Sequence, residues 1–171
     1  MINNNMNVKS IIYTSNTGHT KEYAELLSKQ LNIPAYSLSD KKSLPDKNTS
    51  IVYLGWIYAN HIVGLNKVKK KYNLSLVCAV GLTNDDSKID SIRLTNKLPS
   101  NTPLFTLQGG IDQTKLKGLK KFMISMLTKG LKDSDNKSKE DEELLNILIN
   151  NENKVSLDNL TNIIKFIKQG L

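Results

Sequence analysis

A strand that breaks into a hydroxyl-rich loop and re-enters a helix is the feature of this chain that most limits its fold. Val8 to Tyr13, interrupted by Lys9 and Ser10, is an apolar, β-branched run that reads as a buried strand. It gives way to Thr14-Ser15-Asn16-Thr17-Gly18-His19-Thr20, and Lys21 to Leu31 then follows with helical periodicity. The first N–H groups of a helix lack internal partners, so a helix that starts just beyond a strand presents donors to an anion. The hydroxyls of Thr14, Ser15, Thr17 and Thr20 add further donors, and Gly18 permits a tight turn and close approach of a phosphate.

Further strand candidates alternate with helical segments: Pro34 to Leu38, Ser50 to Leu54, Leu74 to Val80 and Pro103 to Leu107. Helices are predicted over Ile62 to Tyr72, Asp85 to Lys97, Lys115 to Lys132, Glu140 to Ile149 and Leu157 to Gln169. Alternation of this kind implies parallel strands joined by right-handed crossovers, and continuous apolar runs fit strands covered on both faces. The expected fold is therefore α/β: a three-layer sandwich with a five-stranded parallel sheet of order 2-1-3-4-5. Ligand loops then lie at the carboxyl ends of the strands. Residues 115–150 form a helical insert between strand five and the last helix, with a polar linker at Asp133 to Lys139. At 171 residues the chain reads as one domain, 1–171.

Composition narrows the functional classes. Cys78 is the only cysteine and falls in an apolar strand, which excludes an internal disulfide and a multi-cysteine metal site. No apolar run approaches a bilayer span, and the first residues have neither the charge nor the apolar core of a signal peptide, so a cytoplasmic location is expected. The net charge is +8, and Arg93 is the only arginine among 24 basic residues. Lysines spread over solvated faces explain this excess. Alternatively, it marks a basic surface for an acidic partner or an anionic membrane. With aromatics at 6%, nucleic acid is not expected as a partner.

Rival phosphate motifs fail at the opening loop. A Walker loop needs lysine after its last glycine, and Gly18 is followed by His19. A dinucleotide fingerprint needs three spaced glycines, and Gly18 stands alone. The remaining reading is a cradle of hydroxyls and backbone donors without a cation, suited to a phosphate that is held and never transferred.

The stretch Ile11 to Leu27 resembles the flavodoxin signature: Ile11, Ile12 and Tyr13, then Ser15, Gly18 and Thr20 at the family's spacing, then Ala24 and Leu27. The resemblance implies FMN as cofactor and a flavodoxin-like fold. It makes Thr14, Ser15, Asn16, Thr17, Gly18, His19 and Thr20 the phosphate site. The loop after strand three, Gly55-Trp56-Ile57-Tyr58-Ala59-Asn60, is then expected to flank the flavin ring, with Trp56 and Tyr58 stacking on it and backbone groups meeting flavin N5. Alternatively, the two aromatics simply pack their loop. The loop after strand four, Gly81-Leu82-Thr83-Asn84-Asp85, would edge the pyrimidine side. It lacks the tyrosine many flavodoxins place there, which leaves one flavin face open or covered by Leu82. The C-terminal half also resembles, more weakly, the branch that includes menaquinone-dependent protoporphyrinogen oxidase, through Gln108 to Ile111 and Lys120 to Leu127.

His19 is expected to matter through its backbone N–H, with its ring pairing with phosphate only if protonated. His61 reads as a surface residue at a helix start, with a general-acid role as the alternative. Asp85, Asp86 and Asp90 complement a helix dipole and are not read as metal ligands. The expected function is an FMN-dependent oxidoreductase or electron carrier. It would work between a reduced donor and a quinone or partner protein, with membrane contact through 115–132. The alternative is a non-redox binding or regulatory module that docks through its basic insert.

Overall fold

The computed structural model describes residues 6–84 and 86–169. Asp85, expected at a helix start, and the first residues read for a leader lie outside this range. The strands are β1 (Ser10–Thr14), β2 (Ala35–Ser37), β3 (Ser50–Tyr58), β4 (His61–Ile62), β5 (Asn73–Gly81) and β6 (Leu104–Gln108). The helices are α1 (His19–Leu31), α2 (Leu65–Val68), α3 (Ile89–Thr95), α4 (Gly118–Asp133), α5 (Lys139–Asn150) and α6 (Thr161–Gln169). The sheet runs β2-β1-β3-β5-β6 with every neighbour parallel, and β4 pairs antiparallel with the end of β3. With β4 set aside, this is the expected 2-1-3-4-5 order. No helix among the described residues is long and apolar enough to cross a membrane.

Strand periodicity explains the three layers. Successive side chains point to opposite faces, so each apolar run feeds two cores. Ile11, Val52, Leu54, Leu76 and Cys78 pack under α1 and α6 with Tyr23, Leu27 and Ile163. Ile12, Ile51, Tyr53, Val77 and Ala79 pack on the other face with Leu65, Val68 and Ile92 of α2 and α3. Burying one such side chain contributes about 1.5–3 kcal/mol, so the strands' continuous apolar composition follows from being covered twice. A satellite core of Ile111, Leu116, Ile147 and Leu148 fastens α4 and α5 to the carboxyl end of the sheet, with Ile124, Leu131 and Leu144 packed against it.

Two expectations are corrected. The helix predicted over Ile62 to Tyr72 is reduced to the single turn of α2. Ile62 is taken up by β4, and Gly64, at φ 88°, turns the chain before the helix begins. Gly55, Trp56, Ile57 and Tyr58 are strand and not loop: β3 outruns β1, whose last partner is Gly55, and turns back through Ala59 and Asn60 into β4. The polar segment after α4, residues 134–138, is a linker without regular structure, and it ends in a helix cap. Ser138 and Asp141 form a reciprocal capping box at the start of α5, which holds the Asp141 carboxyl below its usual range by hydrogen bonds from Ser138.

Candidate functional site

The loop between β1 and α1 takes the geometry its sequence implies. Gly18 is the N-cap of α1 at φ 113°, a left-handed conformation that a side chain resists. The Ser15 hydroxyl accepts the Gly18 N–H at 3.2 Å, closing the turn. The first intrahelical bond runs from the Glu22 N–H to the Gly18 carbonyl, so the N–H groups of His19, Thr20 and Lys21 precede any intrahelical acceptor.

The hydroxyls divide their work. Ser15, Thr17 and Thr20 line a cleft at the carboxyl end of the sheet. Thr14 does not: it donates to the Val63 carbonyl at 2.7 Å and meets the Tyr53 hydroxyl at 3.1 Å, pinning the end of β1 to the β4–α2 connection. Tyr53 donates to the same carbonyl, and burial pushes its hydroxyl pKa far up, so it stays a donor.

The cradle does have cations, which corrects the reading from sequence. Lys115 Nζ donates to the Thr17 carbonyl at 3.3 Å, and Lys120 Nζ to the Asn16 side-chain oxygen at 3.2 Å. Both come from the insert, about a hundred positions further along the chain, where no local motif connects them to the loop. Lys120 Nζ also stands 4.8 Å from the centroid of the Trp56 ring, within cation–π range.

His19 is buried, with Nδ1 3.1 Å from the Thr17 hydroxyl. Burial pulls its pKa below the ordinary value, Glu22 opposes that shift, and Lys115 reinforces it. The folded ring is therefore neutral near pH 7, and pairing through a protonated ring is not its resting role. Well above about pH 6.5 both folded and unfolded His19 are neutral and the group adds no pH dependence. As pH falls below that value the unfolded chain takes up the proton first, so stability falls. Urea midpoints measured from pH 7 to pH 5 are expected to fall less in His19→Asn than in wild type. Parallel curves would refute the assignment.

The second wall is the overshoot of β3. Trp56 and Tyr58, two positions apart on one strand face, meet edge to face with centroids 6.4 Å apart. Ala59 and Asn60 turn the hairpin at φ 46° and 63°. Asn96, buried behind α3, holds this hairpin. It accepts the Ile62 N–H at 2.9 Å and donates to the carbonyls of Asn60 and Ile92, both at 2.7 Å. Gly55 does not face the cleft: a Cβ there would meet the Ile62 side chain at 2.5 Å, so its role is packing. The α4 helix forms the third wall through Leu119, Lys120, Met123 and Leu127, and the Tyr58 hydroxyl reaches the Met123 sulfur at 3.3 Å.

These walls enclose a cleft of about 630 Å³ that Asn16, His19, Trp56, Ile57, Tyr58, Ala59, Gly81 and Leu82 also line. Gly18 sits behind it as the turn. Thr83 falls in a smaller adjoining hollow of about 210 Å³, which shares Ile57, Gly81 and Leu82 with the main cleft. Asn84 accepts from the Thr106 hydroxyl, as does Asp86. His61 is exposed on β4, opposite Tyr58 in the hairpin, and does not line the cleft. Lys120, Leu116, Met123 and Ile111 line the cleft as well, and Lys115, ion-paired with Asp112 at 3.2 Å, touches the loop without lining it; sequence reasoning missed all five.

The family model for the flavodoxin domain matches residues 10–138, well over half the chain. The match is to the domain as a whole and lends no support to the narrower protoporphyrinogen oxidase branch. No curated protein matches the chain.

Proposed function

The chain belongs to the flavodoxin domain family, and from that premise we propose that it is an FMN-dependent oxidoreductase or electron carrier. The observation that carries the reading is the convergence, in one cleft, of a donor-rich helix start and an aromatic wall. The cleft lies within the usual size range for cofactor sites. The group fits its surroundings: Ser15, Thr17, Thr20 and the first N–H groups of α1 suit the phosphate, and Trp56 and Tyr58 suit the ring. When bound, FMN supplies one- or two-electron transfer at its ring.

The protein's own residues bind, orient and shield. The start of α1 holds an anion without metal. Lys120, between Asn16 and Trp56, adds positive charge inside the cleft. Leu119, Met123 and Leu127 line the remaining side with apolar groups. His61, the acid candidate, stands outside. The reduced donor and the acceptor, a quinone or a partner protein, complete the proposal, as does a cytoplasmic location.

Purified protein is expected to be yellow or to take up added FMN stoichiometrically. Protein that is colourless and indifferent to added FMN would overturn the reading. Thr20→Val keeps shape and removes one hydroxyl, so FMN affinity is expected to fall about tenfold, near 1.4 kcal/mol. Isothermal titration checks this, and unchanged affinity would move the phosphate elsewhere.

A further inference from the structure

The α4 helix has no buried residue along its length. Leu119 is 73% exposed, Phe122 60%, Met126 61% and Leu127 42%. Positions three and four apart share a helix face, so these side chains form one apolar stripe on a convex surface. Leu119 and Leu127 belong to the cleft mouth, and a bound molecule there would cover part of them. Phe122 and Met126 do not line the cleft, so their exposure needs another explanation.

Apart from Asp133, the last residue of α4 and seven positions after Met126, the charges beside this stripe are lysines. Lys129 stands three positions after Met126 and seven after Phe122, on the margin of the same face, and Lys121 and Lys132 occupy the next strip round the helix. All three are exposed. The acidic residues of the region, Asp133 and the first turn of α5, gather at and beyond the C-terminal end of α4. Lysines whose alkyl stems border long, flexible apolar side chains match a surface of anionic headgroups over hydrocarbon. A protein partner would call for the anchors such interfaces favour, arginine and tryptophan among them, and α4 has neither.

We propose that the exposed face of α4 docks this protein on an anionic lipid bilayer, with Phe122 and Met126 entering the interface and Lys121, Lys129 and Lys132 pairing with headgroups. Because Leu119 and Leu127 belong to both the stripe and the cleft mouth, the cleft then opens at the lipid surface. The docking stands whether or not FMN fills the cleft.

The test is sedimentation of the full chain, with and without FMN, on vesicles of phosphatidylcholine alone and of phosphatidylcholine with phosphatidylglycerol. Wild type is expected to sediment with the anionic vesicles only and to be released by added salt. Phe122→Ser with Met126→Ser is expected to weaken binding at least tenfold while circular dichroism is unchanged, because both side chains already face water. Lys121→Gln, Lys129→Gln and Lys132→Gln together are expected to weaken it as well. An equal loss of charge on the β2–β3 connection, Lys41→Gln, Lys42→Gln and Lys47→Gln, is expected to matter little. Wild type that sediments with neither vesicle overturns the proposal and returns the face to a protein partner or a second copy. Equal binding by wild type and the double serine variant, or equal loss in the two lysine triples, overturns it too.

Discussion

Trp56→Ala is expected to weaken FMN binding by about two orders of magnitude, near 2.8 kcal/mol. Two losses combine. The flat ring that would stack against the ligand disappears, and Lys120 loses the aromatic face that holds its ammonium 4.8 Å from the ring centroid. Trp56 is the only tryptophan, so in wild type its own fluorescence reports the titration, and flavin fluorescence reports it in the variant. Trp56→Phe keeps a flat face at the same strand position and is expected to recover most of the affinity. An alanine variant within twofold of wild type would place the ring away from the β3 overshoot.

Gly110→Ala is expected to destabilise the fold by about 2–4 kcal/mol and to lower Tm by ~5–15 °C. Gly110 sits where the segment after β6 passes between α1 and the chain leading to α6. It pairs with Asn153 in an antiparallel bridge, and its neighbour Gly109 accepts the Lys154 N–H at 2.8 Å. A Cβ at Gly110 would overlap the Glu152 carbonyl oxygen and stand 3.0 Å from His19 Nε2. One obstacle is backbone and the other is a buried ring, so neither yields cheaply. Tyr23 clamps the same seam, donating to the Gln108 carbonyl at 2.5 Å and accepting from Asn159 at 2.6 Å. Differential scanning calorimetry reads the effect, and an unchanged Tm would mean the seam opens without resistance.

What the residues disclosed and what they hid separate along physical lines. The strand–loop–helix unit was legible because its signal is local: β-branched residues, a glycine at the positive-φ position, and helical spacing all fall within Val8 to Leu31. The sheet order followed from strands alternating with helices. The end of β3 was not legible. Gly55 looked like a strand stop, but here it serves close packing, and the strand continues because Ile57 and Tyr58 find partners in Ile62 and His61. The hairpin turn at Ala59 and Asn60 contains no glycine to announce it. The helical character of α4 was readable from its periodicity. That it would lie over the cleft and bring Lys120 to the loop, with Lys115 reaching the loop from the turn just before it, is a tertiary result, and no local window contains it.

The placement of Cys78 has a practical consequence. It is the chain's only thiol, it is fully buried on β5 between β3 and β6, and burial pushes its pKa far up. A thiol reagent can reach it only when the core around β5 opens, so each labelled molecule records one such opening. The protein thus carries its own clock for conformational breathing, readable by mass without any engineered probe. Any compound that prefers the closed form would announce itself by slowing that clock.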